Sequence, residues 1–267
     1  GGGRVWRTWM PARNAPGWAA HAFFSMPRFG ALARSADVLH AQDIASVLPC
    51  MVAQRVGKAP IVTTYHTSHF LKRAESPFWR PIFKRFLEAA DHNLAASVEI
   101  ASVGEGIAPD VRVESLTNGV ETSFFQRVEP SLPAPAEGRV RLIVPRRLFH
   151  KNGVEYFVRA MPLITREIDA EAVLVGDGPE RQKLAALAAE LGVADRLTFL
   201  GARANQEMPG LLSSGDLAIF PSLMEATSIA ALEAMSCELP VAASRVGGLP
   251  EIVSDAVGGL FEPPDPS

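Results

Sequence analysis

Cysteine is scarce in this sequence: the 267 residues include only Cys50 and Cys237. Two cysteines this far apart, with no cluster of His or Cys around either, exclude a disulfide framework and a zinc site of the usual ligand spacing. We therefore expect no metal centre. A chain without a disulfide framework suits a reducing compartment, so a cytoplasmic protein is expected.

Long apolar runs and an excess of one charge are also missing. No run approaches the roughly 20 apolar residues that cross a bilayer as a helix. The formal net charge is −3 and the sequence pI is ≈ 6.1, whereas a protein that binds nucleic acid usually carries a basic domain. We therefore expect neither a membrane span nor a nucleic acid partner.

Apolar runs alternate with helical patterns along the chain, most regularly after residue 138. Between these runs, Val154, Phe157, Met161 and Ile164 recur at the spacing of one helix face. Alternation of this kind is typical of βα units around a mainly parallel sheet. The strands predicted in this half are 139–146, 172–176, 196–201, 216–222 and 239–244.

The first half carries a weaker version of the same alternation, with short strands predicted at 37–42, 60–66 and 91–97. Residues 127–138 hold three prolines and no apolar periodicity, which is typical of a linker. We therefore predict an α/β protein of two Rossmann-like lobes with a cleft between them. The predicted lobes are residues 1–128 and 129–267.

Two glycines, Gly176 and Gly178, follow a predicted strand and precede a predicted helix. Glycine lets backbone amides approach a phosphate closely, and the start of a helix carries partial positive charge. Gly178 is therefore a candidate contact for a phosphate. The alternative is a tight turn in which Asp177 and Gly178 supply only the turn geometry.

A second candidate site lies in the run PSLMEATSIAALEAM. Glu225 precedes a predicted helix and Glu233 lies on it, a little over two turns further along, so both carboxylates can serve one ligand at the helix start. Thr227, Ser228 and Ile229 would offer backbone amides to an anion there. The alternative makes both glutamates solvated surface charges and one of the hydroxyl residues a simple N-cap.

The order and spacing of these runs resemble a known family. PRRLFHKNG, GDGPER, PSLMEATSIAALEAM and LPVAASRVGGLPEIV are similar to the donor lobe of family 4 retaining glycosyltransferases, which have the GT-B fold. TNGVETSFF resembles the segment before the linker of those enzymes, and DVLHAQD and VTTYHTS resemble parts of their acceptor lobe. The resemblance extends over nearly everything from Asp37 to Pro266.

The resemblance implies metal-independent, cofactor-free, retaining transfer of a sugar from a UDP- or GDP-linked donor to a hydroxyl acceptor. Arg147 matches an arginine that grips the donor diphosphate, with Lys151 assisting, and a guanidinium suits this role because it binds two oxygens at once. Glu225 matches a carboxylate that holds sugar hydroxyls, and Glu233 one that holds the ribose. His66 matches a histidine near the reacting sugar carbon. The implied catalytic residues are thus His66, Arg147 and Glu225.

The sequence departs from the family pattern at several positions. Asn152 separates Lys151 from Gly153, whereas the family's lysine directly precedes the glycine. Glu238 replaces a glycine at an expected tight turn, where a side chain costs stability. The first strand and glycine-rich loop of the acceptor lobe have no counterpart, nor has the C-terminal helix that crosses back to it. We therefore expect a fragment with a truncated acceptor lobe. The alternative for Arg147 and Lys151 is a surface basic pair.

Residues 70–90 interleave basic and aromatic side chains. On a helix, this pattern is typical of peripheral contact with an anionic membrane surface. The alternative is a core-packed segment with a solvated basic edge, which Pro77 and Pro81 favour because they interrupt any long helix.

Two other functions fit two Rossmann-like lobes: a non-catalytic sugar-binding protein and a nucleotide-sugar epimerase. The run EATSIAALEAM favours the transferase over the epimerase. A dinucleotide oxidoreductase is disfavoured because no G-x-G-x-x-G motif follows a strand with an acidic residue about 20 positions further on.

Overall fold

The computed structural model describes residues 15–66 and 68–263. The chain divides into two compact units, and the division falls between Thr117 and Asn118. Each unit is built on one sheet whose neighbouring strands are all parallel. The predicted class, α/β with Rossmann-like lobes, is therefore confirmed.

The first unit contains a four-stranded sheet in the order β1-β2-β3-β4. Four of the five residues of its second strand, Thr63 and Thr64 among them, are buried because a parallel strand with helices on both faces is covered on both sides. The elements are α1 (Ala15–Ala33), β1 (Leu39–Gln42), α2 (Ile44–Gly57), β2 (Ile61–Tyr65), α3 (Ser68–Ala74), α4 (Arg80–Ala89), β3 (His92–Ala95), α5 (Val98–Ile107) and β4 (Val113–Ser115).

The basic and aromatic stretch 70–90 forms α3, a break and α4. Phe70 and Phe83 are fully buried and stack on each other with ring centroids 5.1 Å apart, while Lys84 and Arg85 are exposed. Phe78, in the break, is 69% exposed. The stretch is thus a core-packed segment with an exposed basic edge, as the alternative interpretation expected. Within the described ranges, no helix combines the length and the apolar character needed to cross a bilayer.

The second unit contains a six-stranded sheet in the order β10-β9-β8-β5-β6-β7. The strands predicted here from apolar runs are all present. The elements are β5 (Val140–Val144), α6 (Val154–Glu167), β6 (Ala170–Val175), α7 (Arg181–Glu190), β7 (Leu197–Gly201), α8 (Met208–Leu212), β8 (Leu217–Phe220), α9 (Ile229–Ser236), β9 (Val241–Ser244), α10 (Leu249–Ile252) and β10 (Gly258–Phe261).

The strand order of this sheet is doubly wound. From β5 the chain winds outward through β6 to β7, then returns to place β8 on the other side of β5 and winds outward through β9 to β10. The direction of winding reverses between β5 and β8. In sheets of this kind, ligands bind outside the carboxyl ends of the strands at such a switch point.

Residues 118–128 belong to the second unit, whereas the sequence analysis placed the boundary after residue 128. Phe125 is 4% exposed within the apolar core of the second unit, and its carbonyl accepts a hydrogen bond from the Ser236 hydroxyl. The backbone N–H of Val128 donates to Ser213 Oγ at 3.0 Å. The prolines after this segment mark irregular chain, but the buried aromatic ring decides the unit to which the segment belongs.

Glu238 lies at the turn where the sequence analysis expected a side chain to cost stability, and it adopts the left-handed backbone conformation, with φ of +60°. The residue follows α9, and its backbone N–H donates to the carbonyl of Met235 at 3.0 Å. A side chain in this conformation crowds its own carbonyl, a strain that glycine lacks.

Candidate functional site at the switch point of the second sheet

The switch point brings together the segments that follow β5 and β8. Arg146 and Arg147 lie two and three residues after the end of β5, and Ser222 and Glu225 lie two and five residues after the end of β8. Because the two strands are parallel neighbours, all four residues follow the carboxyl edge of the sheet. The sequence predicted Arg147 and Glu225 as parts of one site, and they do lie at one edge of one sheet.

A short 3₁₀ turn, His150–Asn152, leads from β5 into α6 and packs against the segment after β8. Gly153 ends this turn with φ of +64°, and a Cβ atom there would lie 1.7 Å from the carbonyl oxygen of Pro221. The carbonyl of Lys151 accepts a hydrogen bond from the backbone N–H of Leu223 at 2.9 Å. Only glycine permits this approach, which holds the Lys151 backbone against the segment after β8.

The loop that carries Glu225 is also packed closely on its other side. Gly247 has φ of +56°, and a Cβ atom there would lie 1.8 Å from the carbonyl oxygen of Glu225. The backbone N–H of Gly248 donates to the carbonyl of Ala226 at 3.0 Å. The backbone of this loop is therefore held in place by direct contact with the segment after β9.

Arg146 is the central side chain of the site, and the sequence analysis did not single it out. Its guanidinium is buried and contacts the carboxylate of Glu225. It also contacts side chains from the 3₁₀ turn, from the segment after β8 and from the start of α9. Nη2 donates to Glu225 Oε2 at 2.5 Å, Ser222 Oγ at 2.7 Å and Asn152 Oδ1 at 3.0 Å, and Nη1 donates to Ser228 Oγ at 3.3 Å.

A signal for Arg146 was present in the sequence. Successive side chains of extended backbone point to opposite sides, so two adjacent arginines after a buried strand place one guanidinium inward and one outward. Burial follows this rule, since Arg146 and Leu148 are buried whereas Arg147 is exposed. The family resemblance directed attention only to the outward member of the pair.

The Arg147 side chain is exposed, with its guanidinium carbon 5.7 Å from the ring centroid of Phe149. Its backbone is held by two hydrogen bonds, since the Arg147 carbonyl accepts from Asn152 Nδ2 at 2.6 Å and from the Phe149 N–H at 2.9 Å. Lys151 is exposed as well. Two cationic side chains thus extend into solvent from a firmly held backbone.

The start of α9 contributes to the same site, since Ser228 accepts a hydrogen bond from the buried Arg146. Ser228 is its N-cap, because Ser228 Oγ accepts from the backbone N–H of Ala231 at 3.3 Å. The N-cap alternative is therefore correct for Ser228. Thr227 is buried and Ile229, the first helical residue, is exposed. Amides at a helix start lack partners within the helix, and the helix dipole favours an anion there.

Glu233 and Glu225 differ in their surroundings. Glu225 is 14% exposed and forms an ion pair with Arg146, so it is not the solvated surface charge of the alternative interpretation. Glu233, on α9, is half-buried, and its carboxylate has no hydrogen-bond or ion-pair partner within residues 15–66 and 68–263. Burial raises the pKa of the Glu233 carboxyl because desolvation disfavours its charged form.

The glycines after β6 pack against the segment after β5. A Cβ atom on Gly178 would lie 2.3 Å from the carbonyl oxygen of Leu148, and one on Gly176 would lie 2.2 Å from that of Arg146. The Gly178 N–H already donates to Asp177 Oδ1 at 2.8 Å. The tight-turn alternative describes this geometry, because close packing explains both glycines and the Gly178 amide is engaged.

His66 lies in the first unit, directly after β2. Its Nε2 contacts Gln42 Oε1, an oxygen that only accepts. Gln42 also contacts His40, whose Nε2 lies 2.7 Å from Thr64 Oγ1. His66 is thus part of a polar cluster at the carboxyl edge of the first sheet, and Gln42, which the sequence analysis did not consider, orients its ring.

One group of potential metal ligands occurs within the described part of the chain, formed by His150, Glu155 and Glu180, whose ligand atoms lie within 4.8 Å of one another. Glu155 already forms ion pairs with Lys183 and Arg159. Hydrogen bonds from Lys183 and then Arg159 lower the pKa of the Glu155 carboxyl. These two cations already neutralise the charge that a metal ion would require.

Sequence comparison with protein families matches both halves of the chain. The model described as "Glycosyl transferases group 1" matches residues 128–267, and the model described as "Glycosyltransferase Family 4" matches residues 2–124. The two matches cover almost the whole chain and meet close to the division between the two units.

Two curated relatives align with most of the chain. N-acetyl-alpha-D-glucosaminyl L-malate synthase of Bacillus anthracis is 29% identical over 233 residues, which cover 84% of this chain and 61% of that protein. GDP-mannose-dependent alpha-(1-6)-phosphatidylinositol monomannoside mannosyltransferase of Mycobacterium tuberculosis is 30% identical over 223 residues, covering 78% and 57% respectively. The chain therefore spans less than two thirds of the length of either relative.

Among solved structures, HepE of Anabaena, crystallised with UDP, is similar to this chain with a TM-score of 0.76. The alignment covers 92% of this chain and 71% of HepE at 20% sequence identity. At this identity the similarity shows a shared fold, and it confirms the fold class expected from the motifs.

Proposed function

The chain belongs to the group 1 glycosyl transferases, and from that membership we propose that it transfers a sugar from a nucleotide diphosphate sugar to a hydroxyl acceptor. The observation that carries this proposal is the set of groups at the switch point of the second sheet. Two exposed cations, a helix start and two partly buried carboxylates follow the carboxyl edge of one sheet. The family match does not favour a sugar-binding protein or an epimerase.

In this proposal, Arg147 and Lys151 bind the diphosphate of the donor together with the amides of Thr227, Ser228 and Ile229. Negative charge builds on the diphosphate as its bond to the sugar breaks. Cations and a helix start in fixed positions therefore bind the transition state more strongly than the substrate. The hydrogen bonds that hold the Arg147 backbone support this role, because a catalytic cation must not need to reorganise.

The two glutamates are proposed to bind the two sugar rings of the donor. Glu233 accepts hydrogen bonds from the ribose hydroxyls, a role that suits a half-buried carboxylate without a protein partner. Glu225 accepts hydrogen bonds from hydroxyls of the transferred sugar through Oε1, the oxygen that Arg146 does not contact. A carboxylate that only accepts is well suited to pairs of hydroxyl donors.

We propose that transfer retains the configuration of the sugar and needs no metal ion or other cofactor. The acceptor hydroxyl attacks from the face that the diphosphate leaves, and a phosphate oxygen of the leaving group takes the acceptor proton. Glu225 is held in an ion pair and is therefore a poor candidate for a covalent nucleophile. His66, at the carboxyl edge of the first sheet, is proposed as a catalytic residue.

The donor is proposed to be UDP- or GDP-linked, because HepE was crystallised with UDP and the mycobacterial relative is named for GDP-mannose. The acceptor class is a hydroxyl compound: a glycan, a lipid or a small molecule.

We also propose a cytoplasmic protein whose segment 70–90 contacts the membrane surface peripherally, since exposed Phe78 adjoins the basic edge of α4. Salt-sensitive sedimentation with anionic vesicles, reduced by Phe78→Ser, tests this contact; sedimentation that Phe78→Ser leaves unchanged contradicts it.

Calorimetric titration of the chain with UDP and GDP, with and without EDTA, tests the donor site. We expect one nucleotide to bind equally well under both conditions. Arg147→Ala should weaken binding by roughly tenfold or more, the loss typical of a charged hydrogen bond, and the exposed Arg166→Ala on α6 should not. Loss of binding in EDTA contradicts metal independence, equal loss in both variants contradicts the role of Arg147, and no binding of either nucleotide overturns the proposed function.

The stereochemical outcome has a separate test. With a donor identified by calorimetry and an acceptor identified by screening, NMR of the product gives the anomeric configuration through the one-bond C1–H1 coupling constant. Retention predicts the configuration of the donor. The opposite configuration contradicts the retaining mechanism while leaving transfer itself established.

A further inference from the structure

We propose that Arg146 is a positioning residue for the proposed donor site: it holds the Glu225 carboxylate turned so that Oε1 alone faces the transferred sugar. This inference rests on the proposed function and goes beyond it, because it names the residue that sets how the sugar is recognised. Arg146 itself lies behind Glu225 and is buried, so its action on the substrate is indirect.

The contacts of Arg146 meet at the point where the site is assembled. The residue follows β5, whereas its four partners belong to the 3₁₀ turn, the segment after β8 and the N-cap of α9. These partners are Asn152, Ser222, Glu225 and Ser228. A single planar guanidinium therefore fixes the direction of the Glu225 carboxylate relative to these segments, which a point-like ammonium cannot do.

Burial makes the pair sensitive to the loss of either partner. The Arg146 side chain is 9% exposed and that of Glu225 is 14% exposed. A buried carboxylate that loses its cation must take up a proton or turn toward solvent, because an uncompensated buried charge is costly. Each of these responses changes the hydrogen bonds that Oε1 can offer to a ligand.

The two carboxylate oxygens of Glu225 also differ in their hydrogen-bond partners. Oε2 is occupied by Arg146 Nη2 and lies 3.5 Å from Ser222 Oγ, whereas Oε1 has no partner within the described ranges. Glu225 thus offers a bound sugar one hydrogen-bond acceptor, Oε1, in a fixed direction. A rotated carboxylate would accept from a different direction, and discrimination between epimeric sugars depends on that direction.

One feature of Arg146 favours a positioning role over a purely stabilising one. Its Nε is buried without a hydrogen-bond partner among the residues described. An unsatisfied buried donor costs stability. The arginine therefore occupies this position at some cost to the fold, while all its side-chain hydrogen bonds go to the segments that carry the site.

The experiment compares the affinity of the chain for a free nucleotide with its affinity for the matching nucleotide sugar, using UDP and UDP-glucose, and GDP and GDP-mannose, as probes. Arg146→Gln should leave free-nucleotide affinity nearly unchanged and reduce the ratio of sugar-nucleotide to nucleotide affinity by about tenfold, as expected for a lost charged hydrogen bond. Arg146→Lys keeps the charge and should restore part of the ratio. If Arg146→Gln does not fold, Arg146→Lys provides the test, and its affinity ratio should fall below that of the wild type.

The chain offers a matched control in Arg141. This arginine is equally buried and pairs with Glu171 at 2.7 Å, but it lies at the start of β5, at the opposite edge of the sheet. Arg141→Gln should lower stability and leave the affinity ratio unchanged. A ratio that falls as far in Arg141→Gln as in Arg146→Gln overturns the proposal.

A double-mutant cycle separates positioning from general packing. In a Glu225→Gln background, Arg146→Gln should cause no further change in the ratio, because the group it positions is already altered. Additive effects, an unchanged ratio in Arg146→Gln, or equal losses of nucleotide and sugar-nucleotide affinity overturn the inference while the donor site stands. A wild-type chain that binds none of the four probes overturns the proposed function and this inference with it.

Discussion

Glu225 and Glu233 lie in one short run of sequence, yet their carboxylates have opposite surroundings. Glu225 is paired with a buried arginine, and its charge is compensated before any ligand arrives. Glu233 has no such partner within the described ranges, and burial raises the pKa of its carboxyl. A hydrogen bond from a ligand hydroxyl therefore stabilises the Glu233 carboxylate more than the Glu225 carboxylate, because the protein supplies no hydrogen bond of its own to Glu233.

Replacing Glu233 with alanine should weaken nucleotide binding by about 1.5–3 kcal/mol, the usual value for hydrogen bonds to a charged group. Calorimetry with UDP or GDP and with the matching 2′,3′-dideoxy nucleotide measures the effect. The wild type should prefer the ribonucleotide, and Glu233→Ala should lose that preference. Glu190→Ala, at an exposed position on α7, is the control, and a preference that survives in Glu233→Ala contradicts the assignment to ribose.

The raised pKa of Glu233 also predicts a pH dependence of stability. A carboxyl with a raised folded-state pKa binds a proton more strongly in the folded than in the unfolded chain, so folding is penalised as pH rises above the ordinary value of 4.5. Glu233→Gln removes this penalty. Unfolding curves should therefore show the variant to be more stable at neutral pH, with the difference vanishing below about pH 4.5. A constant difference across this window contradicts the linkage.

At the scale of the elements, the site depends on backbone conformations that only some residues adopt. Gly153 and Gly192 both have positive φ, at +64° and +69°, so an alanine at either position suffers the same backbone strain. Their surroundings differ. A Cβ atom on Gly153 would lie 1.7 Å from the Pro221 carbonyl oxygen, whereas one on Gly192 would meet no atom within 4 Å.

Gly192→Ala should therefore cost roughly 1–2 kcal/mol of stability from backbone strain alone, and Gly153→Ala should cost clearly more. Urea unfolding followed by far-ultraviolet circular dichroism compares the two. Gly153→Ala should also weaken nucleotide binding, because the 3₁₀ turn that carries Lys151 must shift away from the segment after β8. Equal stability losses in the two variants would show that the close approach of Gly153 to Pro221 does not affect the free energy of unfolding.

The turn after α9 predicts a stabilising substitution. Glu238 occupies a left-handed conformation with φ of +60°, and Glu238→Gly relieves the associated strain of about 1 kcal/mol, less the entropy that glycine adds to the unfolded chain. We expect a small rise in melting temperature. Glu238→Gln removes the charge without changing the backbone preference and should have no such effect, so an equal rise in both variants would assign the gain to charge.

At the scale of the whole chain, residues 118–128 are covalently continuous with both units but pack into the second. Phe125 supplies a buried ring to the second unit's core, whereas its neighbour Phe124 is partly exposed. An excised unit that begins at residue 129 would therefore lack a core side chain, even though it begins within the proline-rich stretch.

We expect a protein of residues 118–267 to be more stable than one of residues 129–267. The difference should approach 3–5 kcal/mol, the cost of removing a buried phenylalanine. Phe125→Ala in the longer protein should reproduce most of it, and Phe124→Ala should reproduce little. Circular dichroism suits this measurement because all four tryptophans of the chain precede residue 118. Equal stability of the two proteins would return the boundary to residue 128.

The strands of the second sheet were predictable because central parallel strands, covered on both faces, read as continuous apolar runs. Leu142, Ile143 and Val144 are such a run, and all three are buried. The boundary was harder to predict, because three prolines signal irregular chain but do not reveal whether that chain is docked. Phe125 carries no local pattern that distinguishes a buried ring from an exposed one.

By itself, the sequence determined the α/β class, the order of the elements and the resemblance to a family, because these depend on local periodicity and on motifs within short runs. Only the tertiary structure decided that Arg146 rather than Arg147 pairs with Glu225, and that the Gly178 amide is already engaged. The physical reason is distance along the chain. Arg146 lies 79 positions from Glu225 and 82 from Ser228, and only the return of the chain from β7 to β8, beside β5, brings them within hydrogen-bonding distance.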